Sequence, residues 1–372
     1  MKAIGIILAG GNNNRMKELT AKRAVPALPV AGSFRSIDFA LSSMSNSHIQ
    51  TVAVLTQYNA RSLNEHLSSS KWWNFGRKQG GLFLFTPTVT ADNSDWYRGT
   101  ADAMYQNIDF LKRRHEPYVI ISSGDCVYKL DFNRVLDFHI EKKSDITVVC
   151  KDMMYNDDVS RFGVVRMDDE SRITEFDEKP IEAVSNTIST GIYVIRRRQL
   201  IELLEAAAEE NRFDFVNDIL VRYKNVKKIY GYKINSYWNN IADIDAYFKT
   251  NMDFLRPDVR SYFFREEPTI CSKVDDLPPA KFNPGSDISN SLVSSGCIIN
   301  GSVEDSVLFK QVFVGKNTTV KNCVILNDVY IGDNVHLENC IVESRGTINP
   351  NTCYCGEDGV MIVKEKNVRY VI

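Results

Sequence analysis

Short apolar runs rich in β-branched residues alternate with amphipathic segments through the first 250 residues. These runs predict strands at residues 3–8, 51–56, 118–122, 146–149, 163–167, 191–195 and 228–232. The segments between them have helical spacing of apolar positions, at residues 36–47, 101–113, 133–142 and 198–210. Such alternation is typical of an α/β domain with a mostly parallel sheet covered on both faces. Ligands of such domains bind beyond the carboxyl ends of the strands.

Residues 251–285 have little periodicity and are rich in proline. The prolines are Pro257, Pro268, Pro278, Pro279 and Pro284. Because proline interrupts both helices and sheet ladders, we predict that this span is a packed, irregular linker between two domains.

The last part of the chain has a third pattern. Aliphatic residues recur at steps of five or six, at Leu308, Val314, Val320, Ile325, Ile331, Leu337, Val342 and Ile348. A six-residue step indicates hexapeptide repeats, in which each side of a triangular coil places one aliphatic side chain inside. We therefore predict a left-handed parallel β-helix over residues 286–372. The alternative, an antiparallel sandwich, has a period of two and does not produce this step.

Composition excludes several classes of protein. The 372 residues are 44% hydrophobic and 25% charged, with a net charge of −2. This balance predicts two globular domains and gives no polycationic surface for nucleic acid. No apolar run approaches the roughly 20 residues of a membrane helix. We interpret the apolar N-terminal run as a buried strand, not a signal peptide, and expect a cytoplasmic protein.

The cysteines are dispersed. Of eight cysteines, only Cys353 and Cys355 are close, as C-x-C, and there are five scattered histidines. Zinc sites usually show C-x2-C pairs with further partners. We therefore predict free thiols in a reducing compartment and no metal–thiolate site.

A glycine pair follows the first predicted strand. Leu8, Ala9, Gly10 and Gly11 form a loop whose backbone N–H groups are able to approach a phosphate, with Arg15 facing it. By itself, a glycine pair after a strand is more often only a simple turn.

Longer blocks of sequence show a family resemblance. The loop, with Leu19-Thr20 and Arg23-Ala24, resembles the L-A-G-G-x-G-x-R-L…L-T…R-A-K-P-A signature of the glucose-1-phosphate adenylyltransferase family. Residues 34–42 resemble its F-R-I-I-D-F-A-L-S block, and residues 96–103 read W-Y-R-G-T-A-D-A without a change. Further blocks follow in family order, so the resemblance covers essentially the whole chain.

The resemblance implies a Rossmann-like (GT-A-like) nucleotidyltransferase domain followed by the β-helix. It implies a reaction in which ATP and glucose-1-phosphate give ADP-glucose and pyrophosphate by in-line attack, with Mg²⁺ held by two aspartates. Asp125 matches the first of these and, with Arg15, is the predicted catalytic residue. By the same resemblance Gln57, Gly99 and Thr100 join the glycine loop in holding the nucleotide. The implied contacts of the sugar phosphate are Glu178, Lys179 and Ser189.

The chain departs from the family pattern where the resemblance implies metal and triphosphate contacts. Asn240 occupies the position of the second metal-binding aspartate, and Asp243 replaces it only if the loop shifts. The remaining departures are Asn13 for a loop glycine, Val25 for a lysine, Cys126 for a histidine, Asn239 for an arginine and Ser33 for an activator-binding lysine. Because an amide carries no charge, the change at Asn240 predicts weak Mg²⁺ binding.

These departures favour a chain with the family's fold and reduced chemistry. We expect it to resemble the GlgD-type regulatory subunit of glycogen synthesis, weakly active or inactive, in a hetero-oligomer, expected to be a tetramer, with a catalytic partner subunit. Its pocket is expected to hold glucose-1-phosphate or ADP-glucose. The alternatives are a fully active enzyme and a sugar-phosphate-binding module. Acyl transfer by the β-helix is disfavoured because residues 286–372 contain a single histidine, His336.

Overall fold

The structure is a computed structural model that describes residues 2–11, 14–76, 80–88, 95–154 and 157–364. In this part of the chain nine strands form one sheet: Ala3–Ala9, Thr51–Thr56, Gly81–Phe85, Tyr118–Ser123, Ile146–Asp152, Gly163–Met167, Ile173–Glu178, Thr187–Arg196 and Ile229–Lys233. The α-helices are Ser36–Asn46, Arg61–Leu67, Thr100–Tyr105, Ile108–Lys112, Phe132–Glu141, Arg197–Glu209, Ile244–Asp253 and Pro257–Phe264. Within the described ranges, no helix has the length and apolar character needed to cross a bilayer.

The first strand lies at the centre of the parallel part of the sheet. Ala3–Ala9 pairs in parallel with both Thr51–Thr56 and Tyr118–Ser123, and Thr187–Arg196 continues the sheet in the antiparallel direction. Alternate side chains of the first strand enter separate hydrophobic clusters on the two faces, such as Ile7 on one and Ile6 on the other. The carboxyl ends of three parallel strands therefore meet at one edge of the sheet.

The helix predicted over residues 101–113 is two helices. Thr100–Tyr105 and Ile108–Lys112 are separated at Asn107. Asn107 Nδ2 donates to the carbonyl of Ala103 at 2.9 Å, while the backbone N–H of Asn107 turns to Met104. The prediction of one helix is wrong because the side-chain amide of Asn107 donates to the Ala103 carbonyl in place of its backbone N–H. The spacing of apolar residues does not reveal such a bond.

The proline-rich span is also more regular than predicted. Pro257–Phe264 is a helix with proline in its first turn, and Ile244–Asp253 ends inside the same span. Proline is tolerated at that position because the missing N–H has no partner within the helix there. Phe263 of this helix packs edge-on against Phe39 of the α/β domain, at 5.3 Å between ring centroids. The irregular linker predicted here is thus wrong over residues 251–264.

The second domain is a triangular coil of short parallel strands. Each side is a five-stranded parallel sheet. The first side contains Lys281–Phe282, Ile298–Ile299, Phe313–Val314, Tyr330–Ile331 and Thr347–Ile348. The second contains Asp287–Ser289, Ser302–Glu304, Thr319–Lys321, His336–Glu338 and Cys353–Cys355. The third contains Leu292–Val293, Val307–Leu308, Val324–Ile325, Cys340–Val342 and Met361–Val363.

The predicted hexapeptide positions form the interior of this β-helix. All eight aliphatic residues, from Leu308 to Ile348, have no exposed surface, which confirms the prediction. One corner of the coil is made by Asn317, Asn334 and Asn351, each with a left-handed φ near +54° to +61°. Their side chains form a ladder: Asn317 Nδ2 donates to Asn334 Oδ1, and Asn334 Nδ2 donates to Asn351 Oδ1 at 3.0 Å. Asparagine tolerates this conformation better than most residues.

The two domains share a hydrophobic interface. Val307, Val324 and Ile341 of the third side belong to the same buried cluster as Phe39 and Phe263. Arg23 of the first domain donates to Glu343 of the β-helix at 2.5 Å beside this cluster. The β-helix is therefore packed directly on the α/β domain.

Candidate active site

A cavity of about 510 Å³ opens at the carboxyl ends of the three parallel strands. It is lined by Leu8, Ala9, Gly10, Gly11, Val25, Pro26, Leu55, Gln57, Tyr58, Tyr97, Arg98, Gly99, Thr100, Ala103, Ser123, Asp125 and Asp214. The structure thus brings the predicted glycine loop, the other predicted nucleotide contacts and Asp125 to one cavity. Those other contacts are Gln57, Gly99 and Thr100. Arg15, Glu178, Lys179 and Ser189 do not line it.

The glycine loop presents open backbone to the cavity. A methyl group built on Gly11 meets no atom within 4 Å, so the space beside this residue is free for a ligand. At Gly10 the corresponding methyl would contact Gln57 at 3.3 Å. The loop therefore has the exposed backbone needed to approach an anionic group. The predicted departure at Asn13 lies outside the described residues.

The opposite wall is fixed by hydrogen bonds between loops. Gln57 donates to the Tyr97 carbonyl at 3.2 Å and accepts from the Tyr97 N–H at 2.6 Å. Thr100 Oγ1 accepts from the backbone N–H of Phe215 at 2.9 Å. A methyl group on Gly99 would lie 2.3 Å from the Phe213 carbonyl, so only glycine allows this close approach of two backbones.

An exposed aromatic pair stands at the mouth of the cavity, which sequence reasoning did not identify as part of the site. Tyr58 and Trp96 stack with ring centroids 5.9 Å apart and an angle of 15° between the rings. They are 41% and 62% exposed, although large aromatic rings usually bury most of their surface. The pair offers a flat apolar surface next to Gln57, suited to stacking against a planar ring.

Asp125 follows the strand Tyr118–Ser123 and faces the cavity. Its Oδ1 accepts hydrogen bonds from Ser123 Oγ at 2.5 Å and from Cys126 Sγ at 3.5 Å. The short strand Cys126–Tyr128 then pairs antiparallel with Trp238–Asn240, which places Asn240 directly opposite Cys126. Asn240 is thus a neighbour of Asp125 and Cys126, although it lies more than a hundred residues away in the chain.

Asn240 is already engaged within this group. Its Nδ2 donates to Cys126 Sγ at 3.5 Å, and its Oδ1 accepts from the N–H of Ala242 at 3.0 Å. Burial raises the pKa of the Cys126 thiol well above its ordinary value, and the nearby Asp125 raises it further. The thiol is therefore neutral and acts as a hydrogen-bond donor to the carboxylate.

Asp243 is held elsewhere. It caps the helix Ile244–Asp253 by accepting from the N–H of Ala246 at 2.8 Å, and it forms an ion pair with Arg161. Sequence reasoning missed Arg161, which comes from the loop before Gly163–Met167 and belongs to no motif. Burial lowers the pKa of this guanidinium, with Arg15 acting in the same direction, whereas Asp158 and Asp125 act in the opposite direction. Arg161, Arg15 and Asp125 therefore lie close enough to interact electrostatically.

The donor set around Asp125 does not fit the two-carboxylate magnesium site that the sequence resemblance implies. Mg²⁺ prefers charged oxygen ligands in an octahedral arrangement. Here the second position offers an amide oxygen that already accepts a hydrogen bond, and Asp243, three residues further along the chain, is paired with Arg161. Arg161 instead supplies a positive charge close enough to interact with Asp125.

The residues predicted for the sugar phosphate form a second group beside the cavity. Lys179 Nζ lies 3.1 Å from Glu178 Oε1, and the lysine side chain is 59% exposed. Ser189 is buried and shares a hydrogen bond with Tyr193 Oη at 3.3 Å. Burial raises the pKa of Tyr193, and the negative charges of Glu178 and Asp214 add to this effect. Asp214, which lines the cavity, therefore lies close enough to Tyr193 to act on it electrostatically.

The other departures from the family pattern occupy different places. Val25 is 5% exposed, lines the cavity and packs into the interdomain cluster. Asn239 points away from the cavity and donates to Tyr237 Oη at 2.7 Å. Ser33 lines a separate cavity of about 870 Å³ between the domains, together with Arg23 and Arg35.

The fold and the cavity define a nucleotidyltransferase followed by a hexapeptide-repeat domain. A family model described as nucleotidyl transferase matches residues 4–256, and one described as GlmU-like, C-terminal hexapeptide matches residues 278–362. Among similar proteins, the glucose-1-phosphate adenylyltransferase of Geobacillus stearothermophilus is 39% identical over 365 residues, covering 97% of this chain and 94% of the relative.

Two further relatives bear the same name. The enzyme of Clostridium novyi is 38% identical over 320 residues, covering 85% of this chain and 84% of its own. The enzyme of Bacillus subtilis is 36% identical over 322 residues, covering 86% of this chain and 84% of the relative. This chain belongs to the glucose-1-phosphate adenylyltransferase family.

Proposed function

We propose that this chain is a subunit of a glucose-1-phosphate adenylyltransferase that binds sugar phosphate or ADP-glucose and has little activity of its own. Its role is to assemble with a catalytic subunit of the same family and to increase or regulate that subunit's activity in glycogen synthesis. The oligomer that we propose is a tetramer built through the β-helix and the α/β domain.

The observation that carries this proposal is the surroundings of Asp125. The family reaction joins two anionic substrates, so the protein must offset negative charge at the reacting phosphate. In this chain the position of the second carboxylate is an asparagine bonded to Cys126 and Ala242, and Asp243 is paired with Arg161. Val25, which lines the cavity, supplies no cation. We therefore propose that Mg²⁺ binds weakly and that turnover is slow.

The features that bind ligand are nevertheless present. The open backbone at Gly11, the Tyr58–Trp96 surface and the wall held by Gln57 would receive a nucleotide. Lys179 is exposed and would contact a sugar phosphate as a cation. A chain that keeps these groups is able to hold a product or substrate even when the chemical step is slow.

The test is pyrophosphate release from ATP and glucose-1-phosphate with Mg²⁺, measured for this chain alone, for a catalytic homologue alone and for their mixture. We expect little release by this chain alone, co-purification with the homologue, and more release by the mixture than by the sum of the two. An Asp125→Asn variant should stimulate the partner as well as the wild type does. Robust activity of the chain alone, abolished by Asp125→Asn, would overturn the proposal.

Ligand binding is tested separately by the thermal shift that ADP-glucose causes. Lys179→Ala should reduce this shift, whereas Lys249→Ala, a change of an exposed lysine on the helix Ile244–Asp253, should leave it unchanged. A chain that binds ADP-glucose but neither associates with the homologue nor changes its rate would be a binding module outside this enzyme.

The second candidate is a fully active adenylyltransferase. It is favoured by the name that the relatives share and by the match of Asp125 and Lys179 to the family's sequence pattern. The rate of the chain alone decides between the two candidates.

A further inference from the structure

Four potential metal ligands meet on an outer face of the β-helix, and none of them lines the nucleotidyltransferase cavity. The strand His336–Glu338 pairs in parallel with Cys353–Cys355, so His336 lies beside Cys353 and Glu338 beside Cys355. Leu337, which lies between His336 and Glu338 in the strand, has no exposed surface and belongs to the interior. Because successive side chains of a strand point to opposite faces, all four polar side chains stand on the outer face.

Within each of two pairs, the distance between the side chains is close to that between two ligands of one zinc ion. The two thiols, Cys353 Sγ and Cys355 Sγ, are 3.6 Å apart. Two sulfurs bound to one tetrahedral zinc are about 3.8 Å apart, given a Zn–S bond of about 2.3 Å. His336 Nε2 lies 3.6 Å from Glu338 Oε2, which also approaches the separation of two ligands on one zinc ion.

Three of the four side chains also form one group. Ligand atoms of His336, Glu338 and Cys355 all lie within 4.8 Å of one another. Cys353 Sγ lies outside this group but contacts Cys355 Sγ, and its exposed side chain must rotate toward His336 and Glu338 to complete a tetrahedral set. The backbone needs no rearrangement because the parallel ladder already fixes the four Cα atoms.

The sequence did not reveal this group. We expected no metal–thiolate site because C-x-C had no further cysteine or histidine near it. The partners come from one coil earlier, 17 residues before each cysteine, and only the stacking of coils brings them together. Nothing in the nucleotidyltransferase function uses these four residues.

We propose that His336, Glu338, Cys353 and Cys355 bind one Zn²⁺ ion per chain. Two thiolates, an imidazole and a carboxylate are ligands that zinc accepts in a closed tetrahedral site. Binding releases the thiol protons, and the ion joins the last two coils of the β-helix. The site is therefore structural and holds the end of the domain together.

The test uses the full chain without an affinity tag, stripped of metal and kept reduced. Titration with Co²⁺ should produce thiolate-to-cobalt absorption in the near ultraviolet and intense visible bands of tetrahedral Co²⁺, saturating at one equivalent per chain. Zn²⁺ should displace Co²⁺ and increase the hydrogen-exchange protection of amides in residues 336–338 and 353–355.

Variants identify the ligands. Cys353→Ser with Cys355→Ser should abolish the thiolate absorption, and His336→Ala should weaken Zn²⁺ binding by about tenfold or more. Cys271→Ser is the matched control, because Cys271 is an exposed thiol outside the β-helix. Its titration should equal that of the wild type.

Any of the following results would overturn the proposal: no saturable binding of Co²⁺ or Zn²⁺, cobalt spectra without thiolate absorption, half an equivalent of metal per chain, or binding unchanged in the double cysteine variant. Half an equivalent would indicate a site shared by two chains. A disulfide between Cys353 and Cys355 that persists after reduction would also overturn it. These outcomes are independent of the chain's activity and of its association with a catalytic subunit.

Discussion

The side-chain amide of Asn240 donates to the thiol of Cys126, 3.5 Å away, on the strand that directly follows Asp125. Two departures from the family pattern are therefore in contact with each other. An amide and a neutral thiol stand next to the carboxylate, and neither contributes charge. These two altered positions form one local change in the site, so reversal of either one alone should restore little.

Combined reversal should raise the rate of the chain. Asn240→Asp adds the second carboxylate, Val25→Lys adds a cation to the cavity wall, and Asn13→Gly restores the loop glycine. We expect pyrophosphate release to increase by about tenfold or more, since a single directed charge contact contributes about 10²–10³ in rate. The measurement is pyrophosphate release at saturating ATP and glucose-1-phosphate.

Two comparisons make this experiment decisive. Asn235→Asp adds the same charge at an exposed position outside the cavity and should not change the rate. Circular dichroism confirms folding, which matters because Val25 is 5% exposed. A folded triple variant that remains as slow as the wild type would contradict our explanation of the weak activity.

The two glycines of the cavity should respond differently to alanine. Gly99→Ala should lower the free energy of unfolding by about 1–3 kcal/mol, because the new methyl group would lie 2.3 Å from the Phe213 carbonyl. Gly11→Ala should leave stability within about 0.5 kcal/mol, because no atom lies within 4 Å of its methyl group, and should weaken nucleotide binding. Urea unfolding and ADP-glucose titration of both variants measure these effects. Equal stability of the two variants would argue against the close contact at Gly99.

The ion pair between the domains should contribute measurably to stability. Arg23 donates to Glu343 at 2.5 Å, and the two side chains are 20% and 9% exposed. In a double-mutant cycle with Arg23→Gln and Glu343→Gln, we expect a coupling free energy of about 1–3 kcal/mol. The exposed pair Arg61–Glu65 is the matched control and should give less than about 0.5 kcal/mol. Similar coupling in both cycles would show that the interdomain pair has no special role.

His139 should make the protein less stable in mild acid. Burial lowers its pKa from 6.5 to about 4, with Arg196 adding to the effect. Among the described residues its Nε2 is buried without a hydrogen-bond partner, so a proton there would leave an unpaired charge. The unfolded chain takes up this proton below about pH 6.5 and the folded chain only near pH 4. Stability should therefore fall by about 2 kcal/mol between pH 7 and pH 5 because of this residue.

Two variants test the role of His139. His139→Gln cannot take up the proton, so its free energy of unfolding should depend less on pH over the same interval. The variant should be less stable than the wild type at pH 7, because it loses the hydrogen bond that His139 Nδ1 shares with Thr147 Oγ1 at 2.9 Å. His115→Gln, at an exposed position, should keep the wild-type pH dependence. An unchanged slope in His139→Gln would refute the assignment.

Sequence patterns predicted the parts of this structure that are set by residues close together in the chain. The interior of the β-helix was predictable because each side of a coil buries one side chain at a nearly constant interval. The family resemblance implied that the glycine loop, Gln57 and Asp125 belong to one site, and they line one cavity because the ends of parallel strands share an edge. The break in the helix at Asn107 was not predictable, since it depends on a hydrogen bond from the Asn107 side chain to the backbone carbonyl of Ala103.

Residues that reach the site through long-range pairing were harder to find. Arg161 has no motif, and its position beside Asp125 depends on the packing of its loop against the cap at Asp243. Tyr58 and Trp96 come from separate loops, so neither sequence segment predicts their stacking. The contact of Cys126 with Asn240 requires the pairing of two short strands more than a hundred residues apart.

Val307, Val324 and Ile341 are paired neighbours in the third side of the β-helix, each 17 residues from the next, and they carry the contact with the α/β domain. Duplication or loss of a whole coil would therefore return every outward stripe to its own side and keep the apolar stripe against Phe39 and Phe263. The coils need not be equal in length, since Leu292 and Val307 are paired on this side only 15 residues apart. Over evolutionary time, insertions and deletions in this part of the gene should accumulate as multiples of one coil.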